Sequence, residues 1–128
     1  MSRQAELRVL VADDEGVMRT LLASLLRQAG YPGIVYAADG QQALDVLSDP
    51  AAPVDLAFLD IQMPGFTGLE LLGMLPAQAV PFCVIVSAHS ALENVLAAVQ
   101  AGARGFIVKP YAARQVGDIL AKFEAETR

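Results

Sequence analysis

The chain has 128 residues, 55% of them hydrophobic, and its 9 basic and 14 acidic side chains leave a formal net charge of −5 and a pI near 4.6. That length fits one domain burying roughly two-thirds of the surface its unfolded form exposes, and the acidic balance argues against a surface that tracks nucleic-acid phosphates or an anionic membrane. The lone Cys83 cannot form an internal disulfide, no apolar run approaches the ~18 residues that span a bilayer, and the opening MSRQAELRV holds no signal core, so a reducing, cytoplasmic setting is expected.

The first apolar run, LRVLVA (7–12), reads as a strand. Met18, Leu21, Leu22, Leu25 and Ala29 then recur at helical spacing, which turns Arg19 and Arg27 toward solvent. A second strand, IVYAA (34–38), leads into a short helix with Asp39 as N-cap and Ala43, Leu44 and Leu47 facing inward, ending near SDPAAP. After the third strand, VDLAFL (54–59), the segment TGLELLGML is the weakest helical pattern because of Gly73 and the following Pro76. FCVIV (82–86) and GFIV (105–108) complete five strands. Leu92, Val95, Leu96 and Val99 mark a fourth helix, and Val116, Ile119, Leu120 and Phe123 a fifth; Gly102 and Gly105 bracket the turn into the last strand.

Strands alternating with helices from end to end are the pattern of an α/β fold with a parallel sheet. The expected architecture is a flavodoxin-like (βα)5 three-layer sandwich with helices on both faces. Its five-stranded sheet takes the order 2-1-3-4-5, carried over from known doubly wound sheets. Core packing is the expected use of every apolar stripe and of Cys83. The fourth and fifth helices are so rich in Ala, Leu and Val that part of their surface is also a candidate for a partner.

Polar chemistry collects at the strand ends. The first strand runs into Asp13 and Asp14, the third into Asp60, the fourth into Ser87 and the fifth into Lys109-Pro110. In a parallel sheet these ends share one edge, where ligands of such folds bind. The order 2-1-3-4-5 sets strands one and three side by side, so Asp13, Asp14 and Asp60 converge. Three close carboxylates raise one another's pKa unless cations compensate. Lys109 supplies one charge and leaves a formal −2 on the four groups, which a divalent oxygen-loving ion cancels; Mg²⁺ suits such a site and keeps positions open for phosphate oxygens. EF-hand spacing is absent, and one histidine with one strand cysteine gives zinc little support. A metal, a lysine, a hydroxyl and a spare carboxylate make a phosphoryl-transfer site, with Asp60 the nucleophile. Singly, each residue has a plainer use: Asp14 or Glu15 capping the first helix, Ser87 capping the fourth, Asp60 closing a turn with Pro64 and Gly65.

Five ordered motifs carry a resemblance across essentially the whole length: VADDE, LDIQMPGFTG, the pair SA at 87–88, AGARGFIVKP and the Lys109-Pro110 dipeptide. With these the chain resembles the receiver domain of two-component response regulators. The resemblance implies that Asp60 accepts a phosphoryl group from a histidine kinase or phosphotransfer protein. It also implies that Asp13 or Asp14, Asp60 and the backbone carbonyl of Gln62 bind Mg²⁺, and that Ser87 and Phe106 form a switch pair. The switch would be read by a downstream effector on the face of helix four, strand five and helix five, and a homodimer through helices four and five stays open. A cis peptide is expected before Pro110, and Gln62 and His89 stand where receivers tune phosphoryl lifetime. Ser87 replaces the commoner threonine, and Phe106 lacks a tyrosine hydroxyl.

On this reading residues 1–128 are a single receiver domain, standing alone or as the N-terminal receiver of a longer regulator. The chain is a switch that catalyses its own phosphorylation and dephosphorylation, not an enzyme with small-molecule turnover. Two alternatives stand beside it: an aspartyl-phosphate hydrolase, disfavoured by Gln62 where a second aspartate is usual, and a phosphorylation-independent interaction module on the same fold.

Overall fold

Strands covered on both faces read as unbroken apolar runs rather than alternating ones, and the three central strands do so here. A computed structural model describes residues 3–76, 80–88 and 92–127. The elements in chain order are β1 (Val9–Ala12), α1 (Gly16–Gln28), β2 (Ile34–Ala37), α2 (Gly40–Leu47), β3 (Leu56–Asp60), α3 (Gly68–Met74), β4 (Phe82–Ser87), α4 (Leu92–Gln100), β5 (Gly105–Val108) and α5 (Ala113–Glu126), after a 3-10 turn over Arg3–Glu6. All residues of β1, β3 and β4 are buried. The sheet is parallel throughout, in the order β2-β1-β3-β4-β5. Five strands in this order with five helices make the flavodoxin-like architecture expected from the pattern.

Strand alternation divides the core into two layers. Val9, Val11, Phe58, Val84, Val86 and Ile107 pack with Leu22, Leu26, Val116, Leu120 and Phe123 of α1 and α5. Leu10, Ala57, Leu59, Cys83 and Ile85 pack with Ala43, Leu47, Leu71, Leu72 and Ala98 of α2, α3 and α4. Cys83 is core filling, its thiol pushed up to about 12 by burial and so held protonated.

Local signals set the helix starts. Asp39 caps α2 by accepting the Gln42 N–H at 2.8 Å, as its position predicts. Thr67 and Glu70 form a capping box that fixes α3 despite its weak periodicity. Gly40 donates its N–H to the Pro64 carbonyl at 2.9 Å, and a Cβ there would overlap the backbone of Phe66. A glycine at this point therefore lets the start of α2 brace the loop that follows Asp60. Within that loop Gly65 takes a φ of 83°, a left-handed conformation that other residues adopt at a cost.

Two expectations are corrected. The α4 stripe is not core: Leu92, Leu96 and Val99 are 70%, 52% and 64% exposed, and Ala98 is the helix's buried residue. Periodicity reveals that a helix has an apolar face but not what covers it. Arg19 does not stand free in solvent either; it is half-buried and donates from Nη1 to the Asp13 carbonyl at 2.6 Å. Arg27 is exposed as expected and donates to the Tyr36 hydroxyl. Among the described residues no helix is long and apolar enough to cross a membrane.

Candidate functional site

The carboxyl edge of the sheet brings the strand-end residues together. Because β3 lies between β1 and β4, Asp60, its last residue, sits between Asp13 on one side and Ser87 on the other. The Lys109 N–H donates to the Ser87 carbonyl at 2.8 Å, which places the lysine directly across from the end of β4. Asp13, Asp60 and Ser87 are the buried polar residues of the chain's described part, at 0%, 4% and 3% exposure.

Lys109 is the hub. Its Nζ lies 2.7 Å from Asp60 Oδ2, 2.8 Å from Asp13 Oδ2 and 2.9 Å from Glu15 Oε1. The bonds to Asp60 and Glu15 have hydrogen-bond geometry. The approach to Asp13 is an ion pair by distance only, and its Oδ2 is buried without a hydrogen-bond donor. The other oxygens are held by the backbone: Asp13 Oδ1 accepts the Glu15 N–H at 2.9 Å, and Asp60 Oδ1 accepts the Gln62 N–H at 3.0 Å. The Lys109–Pro110 bond is cis.

These contacts set the electrostatics. Burial drives the Asp13 carboxyl up from its ordinary 3.8, opposed by Lys109 and the Glu15 N–H and reinforced by the charge of Asp60. Burial alone would lower Lys109, yet its contacts with Asp13, Asp60 and Glu15 outweigh that and hold its pKa above 10.5. Tyr111, buried beside the cluster, is raised by burial and by the negative charge of Asp13. Both cation and phenol therefore keep their protons at neutral pH.

Asp13, Asp14, Glu15 and Asp60 each offer an oxygen, all within 4.8 Å of one another. A hollow of about 150 Å³ opens among Asp14, Glu15, Asp60, Gln62, Ala88 and Lys109. The count of charges is higher than the sequence suggested, because Glu15 joins the group: four carboxylates face one ammonium, a formal −3 in place of −2. An all-oxygen donor set with one orphaned buried oxygen fits a hard divalent cation.

Ser87 and Phe106 share one face of the sheet. Ile85 pairs with Phe106 and Ser87 with Val108 in register, so all four side chains project the same way. Phe106 is half-buried beside a hollow of about 360 Å³ lined by Ala98, Val99, Ala103, Arg104, Gly105 and Lys122. Gln62 is exposed at the mouth of the acidic site. His89 lies outside the described residues. Sequence reasoning missed Glu15 and Tyr111 as members of the site. For Glu15 the signal was present, as the third acid in a row at the end of the first strand. For Tyr111 there was none beyond its place after Lys109-Pro110.

Residues 9–121 match the family model of the response regulator receiver domain. The chain is 33% identical over 117 residues to the transcriptional regulatory protein PdtaR of Mycobacterium tuberculosis, an alignment covering 91% of this chain and 55% of that protein. It thus spans about half the length of that curated relative. Among solved structures it is similar to response regulator protein TrrA from Thermotoga maritima in complex with Mg(2+)-BeF, at 31% identity and a TM-score of 0.78, covering 91% of this chain and 98% of that one. It is also similar to the CheX-CheY-BeF3-Mg+2 complex from Borrelia burgdorferi, at 26% identity and a TM-score of 0.82, covering 91% and 87%. With the fold, the acidic edge and the matched residues in agreement, the chain belongs to the response regulator receiver domains of two-component systems.

Proposed function

We propose that this receiver is a cytoplasmic, phosphorylation-activated switch in which Asp60 takes a phosphoryl group from a phosphohistidine on a sensor kinase or phosphotransfer protein. The observation that carries the reading is the setting of Asp60: a buried carboxylate at the end of a rigid strand, with one oxygen held by the Gln62 N–H and the other by Lys109. An Asp60 oxygen attacks phosphorus, the P–N bond breaks, and its electron pair returns to the imidazole, leaving an acyl phosphate. Such transfers depend mainly on in-line positioning and charge neutralisation.

Asp13 or Asp14, Asp60 and the Gln62 carbonyl would hold Mg²⁺. When bound, the ion supplies neutralisation of the phosphoryl oxygens; the relative TrrA, solved with Mg(2+)-BeF, supports this assignment. Lys109 exchanges its bond to the carboxylate for one to a phosphoryl oxygen, and the Ser87 hydroxyl donates to another. Phe106 then turns into the space that Ser87 leaves, a two-state repacking biased by a local charge event. The exposed Leu92, Leu96 and Val99 support the face of α4, β5 and α5 as the surface read by a downstream effector or a second copy. Gln62, exposed at the mouth of the acidic site, tunes the lifetime of the acyl phosphate, a role that the resemblance to receivers extends to His89.

Incubation with a small phosphodonor and Mg²⁺ tests the reading. A stable adduct lost in Asp60→Asn supports the switch. Rapid multiple turnover points instead to a hydrolase, and no adduct to a phosphorylation-independent module.

A further inference from the structure

We infer that Glu15 is a positioning residue that holds Lys109 in the resting protein and competes with a phosphoryl group for it. The inference rests on the proposed phosphorylation of Asp60. An ammonium has three N–H donors, and three carboxylates surround that of Lys109 at 2.7 to 2.9 Å. Only the Asp60 and Glu15 contacts are hydrogen bonds; the donor that Asp60 gives up passes to one phosphoryl oxygen, and the ammonium can centre on the phosphoryl group only if Glu15 also yields. Asp13 is fully buried at a strand end, and Asp60 is the group being phosphorylated. Glu15 is the removable partner: its side chain is 60% exposed, and it returns to water on release.

The arrangement is built rather than incidental. The Glu15 N–H is fixed to Asp13 Oδ1 at 2.9 Å while its side chain reaches Lys109, closing a loop of contacts through Asp13, Glu15 and Lys109. Glu15 is the N-cap residue of α1 yet makes no side-chain cap bond, so its carboxylate is committed to the lysine rather than to the helix. Glu15 thus competes within the chain for the cation that a phosphoryl group needs, and it adds one negative charge to the path of an anionic donor.

Two substitutions separate contact from charge. Glu15→Ala removes both, whereas Glu15→Asp keeps the charge on a stem too short to reach Lys109. At saturating Mg²⁺, both variants should bind beryllium fluoride, a phosphoryl mimic, at least threefold more tightly than the parent. Both should also accept phosphate from a small donor at least threefold faster, with circular dichroism unchanged. Parental behaviour in Glu15→Asp with a gain only in Glu15→Ala overturns the contact, leaving charge alone; no gain or a loss in Glu15→Ala overturns the inference entirely. A parent that binds beryllium fluoride without taking up phosphate, or does neither, instead sinks the reading of Asp60, and this inference falls with it.

Discussion

Replacing Lys109 with methionine keeps a long apolar stem and removes the charge at the centre of the site. Each contact of 2.7 to 2.9 Å corresponds to a gross attraction of roughly 6 kcal/mol at an effective dielectric of about 20. Desolvation offsets most of it, since the lysine side chain is 8% exposed and those of Asp13 and Asp60 are 0% and 5%. The pair with Glu15, whose side chain is 60% exposed, adds little. Removing one partner of a buried pair leaves uncompensated charge and costs about 3–5 kcal/mol, a large share of the ~5–15 kcal/mol of a typical domain. Urea unfolding at pH 7 with a chelator should show that loss in Lys109→Met.

The deficit should also depend on pH with a definite sign. The folded-state pKa of Asp13 is already raised above 3.8, and losing the lowering influence of Lys109 raises it further. A raised carboxyl weakens the fold when ionised, so its cost is absent below about 3.8 and grows as pH rises through the folded value. The Lys109 contribution is constant over this span, because its own pKa lies above 10.5 and it is lost only on passing that region. The gap between parent and variant should therefore be narrow near pH 4 and widest at neutral pH. A loss under about 1 kcal/mol at pH 7, or one equally large at both pH values, would refute the reasoning.

Packing yields two further contrasts. A Cβ on Gly68 would lie 2.7 Å from the Asp60 carbonyl oxygen and 3.1 Å from that of Leu59, neither of which can move without shifting the end of β3. Gly68→Ala should thus cost about 1–3 kcal/mol in thermal unfolding and slow phosphate uptake, whereas Gly73→Ala, which meets nothing within 4 Å in α3, should stabilise by about 0.5–1 kcal/mol. Equal effects would mean that α3 does not press on the Asp60 strand. Leu96→Ala, on the exposed α4 stripe, should change urea stability by less than about 0.5 kcal/mol, while Leu59→Ala, fully buried in β3, should cost about 2–5 kcal/mol. A large loss in Leu96→Ala would show that the stripe is covered.

Much of this was legible beforehand for a physical reason. In a parallel sheet every strand ends on the same edge, so Asp13, Asp60, Ser87 and Lys109 could be placed together from strand order alone. The run LAFL before Asp60 marked a strand buried on both faces, and it is. What escaped was whatever depends on reach or on covering. Helical spacing turned Arg19 outward, but a long side chain at the start of α1 can fold back to the Asp13 carbonyl. The α4 leucines read as core because an apolar stripe carries no record of its neighbour. Glu15 read as a helix-end acid because its bond to Lys109 spans 94 positions. The approach of Gly40 to the Phe66 backbone is likewise a tertiary contact with no local signature.

The central claim is that Asp60 is the acceptor, and its most direct test is site mapping after transfer from a phosphorylated histidine donor. Reducing the acyl phosphate with borohydride and sequencing the peptides by mass spectrometry should locate the modification at Asp60 in the parent, with nothing trapped in Asp60→Asn. A modification trapped at Asp13, Asp14 or Glu15 in the parent, or one that persists undiminished in Asp60→Asn, would contradict the account.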